Sequence, residues 1–199
     1  MTSHSPERTV ILAILLLAAN PGSENVLSLE AEAREIKNEL ERSIFHKHFD
    51  LHSRWVRDSD VFIATLSELE PTILHFSGHG SNDGLFGVGA DGLPTRVQGR
   101  AIGRLIHGSP SVRMVVLCAC YSEMQAREIS EFVDFVVGMP ASVDDVAART
   151  FSAAFYEVLS TGHSVAIAFH FAEMTLTVHY PDVRLVLYAQ SSIHESLAQ

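Results

Sequence analysis

Two stretches of the sequence place a reactive side chain directly after a predicted strand. The strand predicted over 72–77 leads into His79, which lies between Gly78 and Gly80. The strand predicted over 112–117 leads into Cys120, at the start of a predicted helix. The thiolate form of cysteine is a nucleophile, and the exposed N–H groups at the start of a helix stabilise it. Histidine gains and loses a proton near neutral pH, so it can act as a base. This pattern indicates nucleophilic catalysis, with Cys120 as the nucleophile and His79 as its base.

The backbone around these two residues fits the same chemistry. Gly78 and Gly80 carry no side chains, so a substrate backbone can approach His79 closely. The N–H groups of Gly80 and Cys120 are candidates for an oxyanion hole, which stabilises the charge that develops on an attacked carbonyl. Each motif alone also has a structural explanation, because glycine-flanked histidines occur in turns and free cysteines pack as small hydrophobes.

Two further reactive side chains lie on the same predicted strands. Cys118 precedes Cys120 by two residues, and we expect it to be buried and structural. His75 precedes His79 by four residues, and we expect it to pack at the end of its strand. A role for His75 in orienting His79 is the alternative.

Four acidic residues are candidates for binding a substrate. Asp144 and Asp145 follow a predicted strand, close to where a cleft is expected, and capping of the next helix by Ser142 or Asp144 is the alternative. An acid that lines the pocket for the residue before the scissile bond would give a preference for basic substrates. Asp83 and Glu123 are weaker candidates of the same kind.

Alternating histidines on a predicted edge strand raise the question of a metal site. His46, His48 and His52 offer nitrogen ligands, but no cysteine or carboxylate cluster completes a tetrahedral set. We therefore expect these histidines to be solvated, and we predict neither a metal nor any other cofactor.

The composition is that of a globular protein. The chain has 199 residues, of which 47% are hydrophobic and 19% charged, enough for one substantial domain over 1–199. The formal net charge of −10 and the lack of a Lys/Arg run argue against a nucleic-acid partner. Only two cysteines are present, which indicates no disulfide framework and a reducing, cytoplasmic compartment.

Strand and helix patterns alternate along the chain. The apolar run over 10–19 is too short to cross a bilayer and lacks a positive start, so it predicts a buried strand rather than a secretion signal. Further strands are predicted over 45–52, 72–77, 112–117, 132–137 and 183–188, with a hairpin over 85–97 that turns at Asp91-Gly92. This alternation predicts an α/β fold, with helices on both faces of a mostly parallel sheet of about six strands.

The helices between these strands have their own signals. Ser28 is a predicted cap for a helix with Glu30 and Glu32 in its first turn, where acids suit the helix dipole. Ser122 and Gln125 have the spacing of a capping box after the candidate nucleophile. The apolar stripe of the first helix is Leu29, Ala33, Ile36, Leu40 and Ile44.

The two motifs, HFSGHG at 75–80 and VVLCACYSE at 115–123, resemble those of clan CD cysteine peptidases, in particular the CHAT branch of caspase-like domains. The stretches LLLAANP at 15–21 and FVVGMPASVDDVAARTFSAAFY at 135–156 are also similar to CHAT chains. The resemblance runs from about residue 10 to 171 and is specific in the two motifs. It implies a three-layer α/β/α sandwich with the caspase-like fold.

The resemblance also implies roles for individual residues. His79 matches the family's base, Cys120 its nucleophile, and Gly80 the residue that supplies an oxyanion N–H. Tyr121 and Ser122 stand where caspases have Arg-Gly, so the caspase preference for aspartate does not follow. Such domains act in regulated bacterial signalling and defence, which implies a cysteine endopeptidase that cleaves a protein partner.

The expected partners are therefore proteins. Because the peptidase pattern occupies nearly the whole chain, a sensor or activator and a substrate, such as a pore-forming effector, are expected to be separate proteins. Neither a nucleic acid nor a membrane is an expected partner. A catalytically silent binding or scaffold module of the same fold is the alternative, although both dyad residues are present. A different α/β hydrolase is disfavoured, because the sequence has no G-x-S-x-G motif.

Overall fold

The structure, a computed structural model, describes residues 11–19, 29–55, 59–89 and 93–190. Within these ranges the chain forms nine strands and six α-helices. In chain order the strands are β1 (Leu12–Ala19), β2 (Phe49–Trp55), β3 (Ile73–Gly78), β4 (Gly80–Ser81), β5 (Gly84–Val88), β6 (Pro94–Val97), β7 (Met114–Cys118), β8 (Phe135–Gly138) and β9 (Val186–Ala189). The helices are α1 (Leu29–Arg42), α2 (Ser59–Leu69), α3 (Gly99–His107), α4 (Glu123–Ile129), α5 (Asp145–Ser160) and α6 (Val165–His179).

Six strands form one sheet in the order β2-β1-β3-β7-β8-β9. The first four pairs are parallel, and only the edge strand β9 runs antiparallel to its neighbour. β1 and β7 are continuous apolar runs, as expected of parallel strands that are covered on both faces. β4, β5 and β6 form a separate antiparallel sheet. The predicted mostly parallel sheet of six strands is confirmed.

Helices cover both faces of the large sheet. α1, α5 and α6 pack on one face, whereas α2, α3 and α4 pack on the other. Side chains alternate along each strand, so Ile14 and Leu16 of β1 face the first group while Leu15 and Leu17 face the second. The result is the expected three-layer sandwich with two apolar cores. None of the helices in the described part of the chain combines the length and the apolar character that a bilayer span requires.

The segment after α1 differs from the prediction. His46–His48 form a 3₁₀ turn, and β2 begins only at Phe49, although it does lie at the edge of the sheet. Ile44 lies beyond the end of α1 and is 84% exposed, so it does not continue the apolar stripe. Ser28 and the Asp91-Gly92 turn lie outside the described residues. The antiparallel pair of the predicted hairpin is present as β5 and β6.

The capping box predicted at Ser122 and Gln125 is wrong. Ser122 makes no cap hydrogen bond, because its hydroxyl donates to the Leu117 carbonyl at 3.3 Å and accepts from the Met139 N–H at 3.0 Å. Gln125 instead donates from Nε2 to the Asn82 carbonyl at 3.1 Å. Both side chains are buried, and the Ser122 hydroxyl, which a cap would use, is taken by tertiary partners instead.

Candidate active site

The strands that lead to His79 and Cys120 are direct neighbours in the sheet. β3 and β7 pair in parallel, with Ser77 opposite Cys118. β3 ends one residue before His79, and β7 ends two residues before Cys120. The two loops that follow are in contact, since a Cβ added to Gly80 would lie 2.4 Å from the carbonyl oxygen of Cys120. The structure therefore places both predicted residues on adjoining loops at the carboxyl edge of the sheet.

Cys120 is half-buried, and its sulfur lies among polar groups of the loop that precedes α5. The N–H of Val143 donates to Cys120 Sγ at 3.4 Å, and Ser142 Oγ lies 3.8 Å from the same sulfur. The carbonyl oxygen of Val143 lies 3.5 Å away and accepts from the protonated thiol. This loop therefore offers the sulfur both hydrogen-bond donors and an acceptor.

The helix after the cysteine begins later than the sequence predicted. α4 starts at Glu123, three residues after Cys120. Between them, Tyr121 has a φ of 55° and donates its N–H to the Ala141 carbonyl at 3.1 Å. A left-handed conformation costs a non-glycine residue about 1–3 kcal/mol, and such residues cluster at functional sites. The nearest donors to Cys120 therefore come from the loop before α5 rather than from the helix after it.

Backbone contacts on both sides fix the position of His79, which is half-buried. The N–H of Phe86 in β5 donates to the His79 carbonyl at 2.9 Å. A Cβ added to Gly78 would lie 2.5 Å from the carbonyl oxygen of Ala19 at the end of β1. Together with the contact of Gly80 described above, this means that both glycines make room for the protein's own backbone. The sequence had predicted a different reason for them, namely access for the substrate.

Two of the acidic candidates lie beside the candidate nucleophile. Asp144 directly follows Val143, and its side chain caps α5 by accepting a 2.8 Å hydrogen bond from the helix backbone. Asp145, in the first turn, lies 3.5 Å from Arg149 Nε. The alternative of a helix cap is thus confirmed for Asp144, while Val143, directly before it, contacts Cys120 Sγ.

The other two acidic candidates are engaged elsewhere. Asp83 lies in the turn between β4 and β5 and forms an exposed ion pair of 3.2 Å with Arg96. Glu123 accepts a hydrogen bond of 3.4 Å from the hydroxyl of Tyr188. Partial burial, and then the charge of Glu123, raise the pKa of Tyr188. Each of these acids thus already has a partner, as Asp144 and Asp145 do.

Buried polar side chains lie below the ends of β3 and β7, on the side of α1 and α5. Glu32 accepts hydrogen bonds from Ser77 Oγ and, at 2.7 Å, from Ser152 Oγ, while His75 Nε2 lies 3.2 Å from Glu32 Oε1. The other ring nitrogen of His75 lies 3.1 Å from the Tyr156 hydroxyl, and the sulfur of Cys118 lies 3.2 Å from Ser152 Oγ. We refer to these residues as the Glu32 cluster: Glu32, His75, Ser77, Cys118, Ser152 and Tyr156.

The cluster keeps Glu32 ionised in the interior. Burial alone raises the pKa of a carboxyl group, but hydrogen bonds from His75, Ser77 and Ser152 and the charge of His75 outweigh it and lower the pKa of Glu32 to about 2. Burial and then the charge of Glu32 raise the pKa of the Cys118 thiol well above its ordinary value. Cys118 therefore stays protonated, and the prediction that it is buried is confirmed.

Glu32 is the residue of this region that the sequence reasoning missed. Its position near the start of α1 suggested only a favourable interaction with the helix dipole. The signal was its spacing, because Glu32 lies three residues after Leu29 and four before Ile36, on the face of α1 that is buried. A carboxylate on an apolar stripe requires buried partners, and His75 is one of them. His75 is buried, but it lies in the middle of β3 rather than at the strand end that was predicted.

The geometry of the Glu32 cluster also permits a metal. Glu32, His75 and Cys118 are the one such group in the described part of the chain, with ligand atoms within 4.8 Å of one another. Oxygen, nitrogen and sulfur are all zinc ligands. However, the cluster's own hydroxyl groups donate to both carboxylate oxygens, so a cation would have to displace them. His52, weighed above as a zinc ligand, instead pairs with Asp50 at 3.0 Å.

No family model matches the chain. Two curated relatives do: a "Probable protease" of Gillisia limnaea is 27% identical over 154 residues, and a "Roc-COR-CHAT protease" of an unknown prokaryotic organism is 24% identical over 166 residues. The matches cover 75% and 78% of this chain. They span only 27% and 15% of the relatives' own length, so the similarity is to one part of larger proteins.

Solved cysteine proteases share the fold at low sequence identity. A secreted C11 cysteine protease from Bacteroides thetaiotaomicron, solved with an irreversible peptide inhibitor, has a TM-score of 0.60 at 13% identity and matches 89% of this chain and 66% of that one. The Arg-specific proteinase gingipain R scores 0.65 at 11% identity over 96% of this chain and 51% of its own. The Drosophila initiator caspase Dronc scores 0.56 at 9% identity over 89% and 79%. The chain thus has the caspase-like fold of clan CD cysteine proteases.

Proposed function

We propose that this chain is a cysteine endopeptidase domain that acts through Cys120 and His79. The observation that supports the proposal best is the contact between Gly80 and the backbone of Cys120, which keeps the two loops together at the carboxyl ends of neighbouring strands. Ligands of open α/β sheets bind at such ends. The caspase-like fold and the two relatives named as proteases support the same activity.

The mechanism follows from the chemistry of the two side chains. His79 takes the proton from the Cys120 thiol, and the sulfur attacks the carbonyl carbon of the scissile peptide bond. The N–H groups of Gly80 and Cys120 hold the oxyanion of the tetrahedral intermediate. His79 then returns the proton to the leaving amine as the C–N bond breaks, which leaves a thioester on Cys120. A water molecule, deprotonated by His79, hydrolyses that thioester and regenerates the thiol.

Acidic side chains near the nucleophile support a preference for a basic residue before the scissile bond. Asp144 and Asp145 are favoured over Asp83 and Glu123, because they adjoin the loop that contacts Cys120 Sγ. A positional peptide library tests this preference, with Asp144→Asn and Asp145→Asn as the variants. Cleavage after aliphatic residues by the unmodified protein would contradict it.

The biological setting is part of the same proposal. The whole chain, 1–199, acts as a peptidase domain that cleaves a protein partner in bacterial signalling or defence, in the cytoplasm. A separately encoded sensor or activator controls it, and a pore-forming effector is one kind of substrate. The relative named as a Roc-COR-CHAT protease supports the peptidase activity itself.

A mechanism-based probe tests the catalytic pair without knowledge of the natural substrate. A peptidyl acyloxymethyl ketone with arginine next to its reactive group should label Cys120, as read by mass spectrometry of the digested protein. His79→Ala should slow labelling by about 10²–10⁴-fold, the usual contribution of a general base. Cys120→Ser should abolish it.

The matched control is the same substitution two residues earlier. Cys118→Ser should keep the label on Cys120, because Cys118 is buried and its hydrogen bond to Ser152 survives as one between hydroxyls. Equal labelling of the Cys120→Ser variant would remove the assignment. A protein that reacts with iodoacetamide but never with the peptidyl probe would favour the silent scaffold.

A further inference from the structure

We infer that Glu32 is a positioning residue, which sets the distance between His79 and Cys120 by holding the strand ends that lead to them. The inference rests on the proposed function, since it assigns a role in the same active site. Among the described residues, Glu32 is the only buried carboxylate, and it lies on α1, far along the chain from both dyad residues. Its two oxygens accept hydrogen bonds from two elements of the fold, β3 and α5.

Glu32 is linked to both β3 and β7. Ser77 donates directly to Glu32 and precedes His79 by two residues. Cys118 contacts Ser152, which donates to the other oxygen of Glu32, and Cys118 precedes Cys120 by two residues. Ser77 and Cys118 are partners in the parallel ladder. A single carboxylate is therefore linked to both strands at the last residue pair before the two loops.

Glu32 is also linked to the helix α5. The loop that precedes this helix supplies the N–H of Val143 and the hydroxyl of Ser142 to the sulfur of Cys120. About two turns into the same helix, Ser152 donates to Glu32, and Tyr156 lies 3.1 Å from His75. Glu32 thus fixes the register of α5 against the sheet, and that register decides where the loop donors lie relative to the nucleophile.

The charge of Glu32 distinguishes it from an apolar side chain in the same place. An apolar side chain would fill this site with less desolvation, because a buried ion pair is often no more stabilising than a hydrophobic replacement of similar volume. Hydrogen bonds to a carboxylate are directional, however, and they specify where each donor must lie. The Glu32 cluster provides such directional hydrogen bonds at the ends of β3 and β7, where the proposed reaction requires His79 and Cys120 to be aligned. Its titratable members, apart from Glu32, are His75 on β3, Cys118 on β7 and Tyr156 on α5.

The experiment measures the alkylation of Cys120 by iodoacetamide from about pH 5 to about pH 9, the range in which thiols and imidazoles titrate. Peptide mapping separates Cys120 from Cys118. In Glu32→Gln, the pH of half-maximal rate should move upward by about one unit, which is about a tenfold loss of rate at neutral pH. The reason is that a protonated His79 ring held farther from Cys120 Sγ stabilises the negative charge of the thiolate less. Ser77→Ala, which removes only the link to β3, should move it in the same direction by less.

The matched control lies one turn away on the same helix. Glu35 forms an ion pair of 2.8 Å with Arg149 of α5 and is about 40% exposed, so Glu35→Gln also removes a contact between α1 and α5. Its alkylation profile should match that of the unmodified protein. A shift in Glu35→Gln as large as that in Glu32→Gln would overturn the inference, because general loosening of α1 would then be sufficient. Thermal unfolding verifies that each variant is folded, and if Glu32→Gln is not, Ser77→Ala decides.

The outcomes separate this inference from the proposed function. An unchanged profile in His79→Ala would remove the proposed dyad itself. A shifted profile in His79→Ala together with an unchanged one in folded Glu32→Gln would keep the dyad and overturn the role of Glu32. One equivalent of zinc, bound by the unmodified protein and absent from Glu32→Gln, would also overturn it, since the cluster would then be a metal site.

Discussion

The two faces of β3 and β7 hold opposite kinds of interior. Toward α1 and α5 these strands present His75, Ser77 and Cys118, which join a hydrogen-bonded cluster around a buried carboxylate. Toward α2 and α3 they present Leu74 and Leu117, which line an apolar cavity of about 300 Å³. Successive side chains of a strand point to opposite faces of the sheet, so neighbouring residues lie in these two different environments. Directional contacts specify geometry on one face, while non-directional packing on the other leaves unfilled space.

The largest expected effect is on the polar face. Glu32→Ala removes the carboxylate that accepts hydrogen bonds from Ser77 and Ser152. Both hydroxyl groups are then buried without this acceptor. Breaking a buried charged group's interactions in this way typically lowers the free energy of unfolding by about 3–5 kcal/mol. Glu35→Ala, on the same helix, removes a partly exposed ion pair and should cost less than about 1 kcal/mol. Urea denaturation of both variants measures the difference in the free energy of unfolding. Equal losses would mean that the buried hydrogen bonds of Glu32 contribute no more than the partly exposed ion pair of Glu35.

The next effect is a dependence on acid that only the polar face should show. The pKa of Glu32 is lowered from 4.5 to about 2 by folding, so the unfolded chain takes up a proton that the folded protein does not. The stabilisation from this carboxylate is complete above about pH 4.5 and is lost as the pH falls toward 2, a change on the order of 3 kcal/mol. Denaturation midpoints at several pH values should therefore fall less steeply in acid for Glu32→Gln than for the unmodified protein.

Leu117→Ala is the matched control for that measurement. It creates space on the apolar face and lowers stability at every pH, since no titrating group is changed. Its acid dependence should run parallel to that of the unmodified protein. A flattened profile in Leu117→Ala would show that the acid sensitivity does not belong to the polar face.

The smallest expected effect is a gain in stability beside the apolar cavity. Gly87 of β5 lines this cavity, and a Cβ there would meet Val97 Cγ2 at 3.7 Å, an ordinary contact. Gly87→Ala should raise the free energy of unfolding by about 0.4–1 kcal/mol, because the unfolded chain loses conformational freedom. Gly84→Ala on the same strand should destabilise, since Gly84 has a φ of 151° and its Cβ would lie 2.8 Å from the Val97 carbonyl. Thermal unfolding distinguishes the two; a loss in both would mean that this face is packed as tightly as the other.

Local patterns in the sequence predicted most of the fold. β7 lies within an apolar, β-branched run, and α5 begins where Asp144 offers a cap, so each is specified by residues close in the chain. The α/β architecture and the edge position of β2 followed from such signals. Ile44 continued the helical period of α1 but lies after the helix has ended, because periodicity alone does not mark a terminus.

The candidate site was predictable to the extent that its residues are local to a motif. His79 and Cys120 stand in short motifs at strand ends, and the sheet does make β3 and β7 neighbours. The role of Ser122 was not predictable, because its hydroxyl is used by Met139 of another segment. The spacing of Glu32 placed it on the buried face of α1, but its donors lie on β3 and on the distant helix α5, so its partners were not predictable.

The hydrogen bond between Ser152 and Glu32 joins residues 120 positions apart in the chain. Contacts of such long range require the entropy of closing a large loop to be lost before they contribute, which delays them relative to local structure. During synthesis, His79 and Cys120 are both made before α5 exists, so the strand ends first meet without the helix that completes the polar core. A nascent chain therefore carries both reactive residues for some time before the contacts that align them can form, and activity is postponed until the last third of the chain has folded onto the sheet.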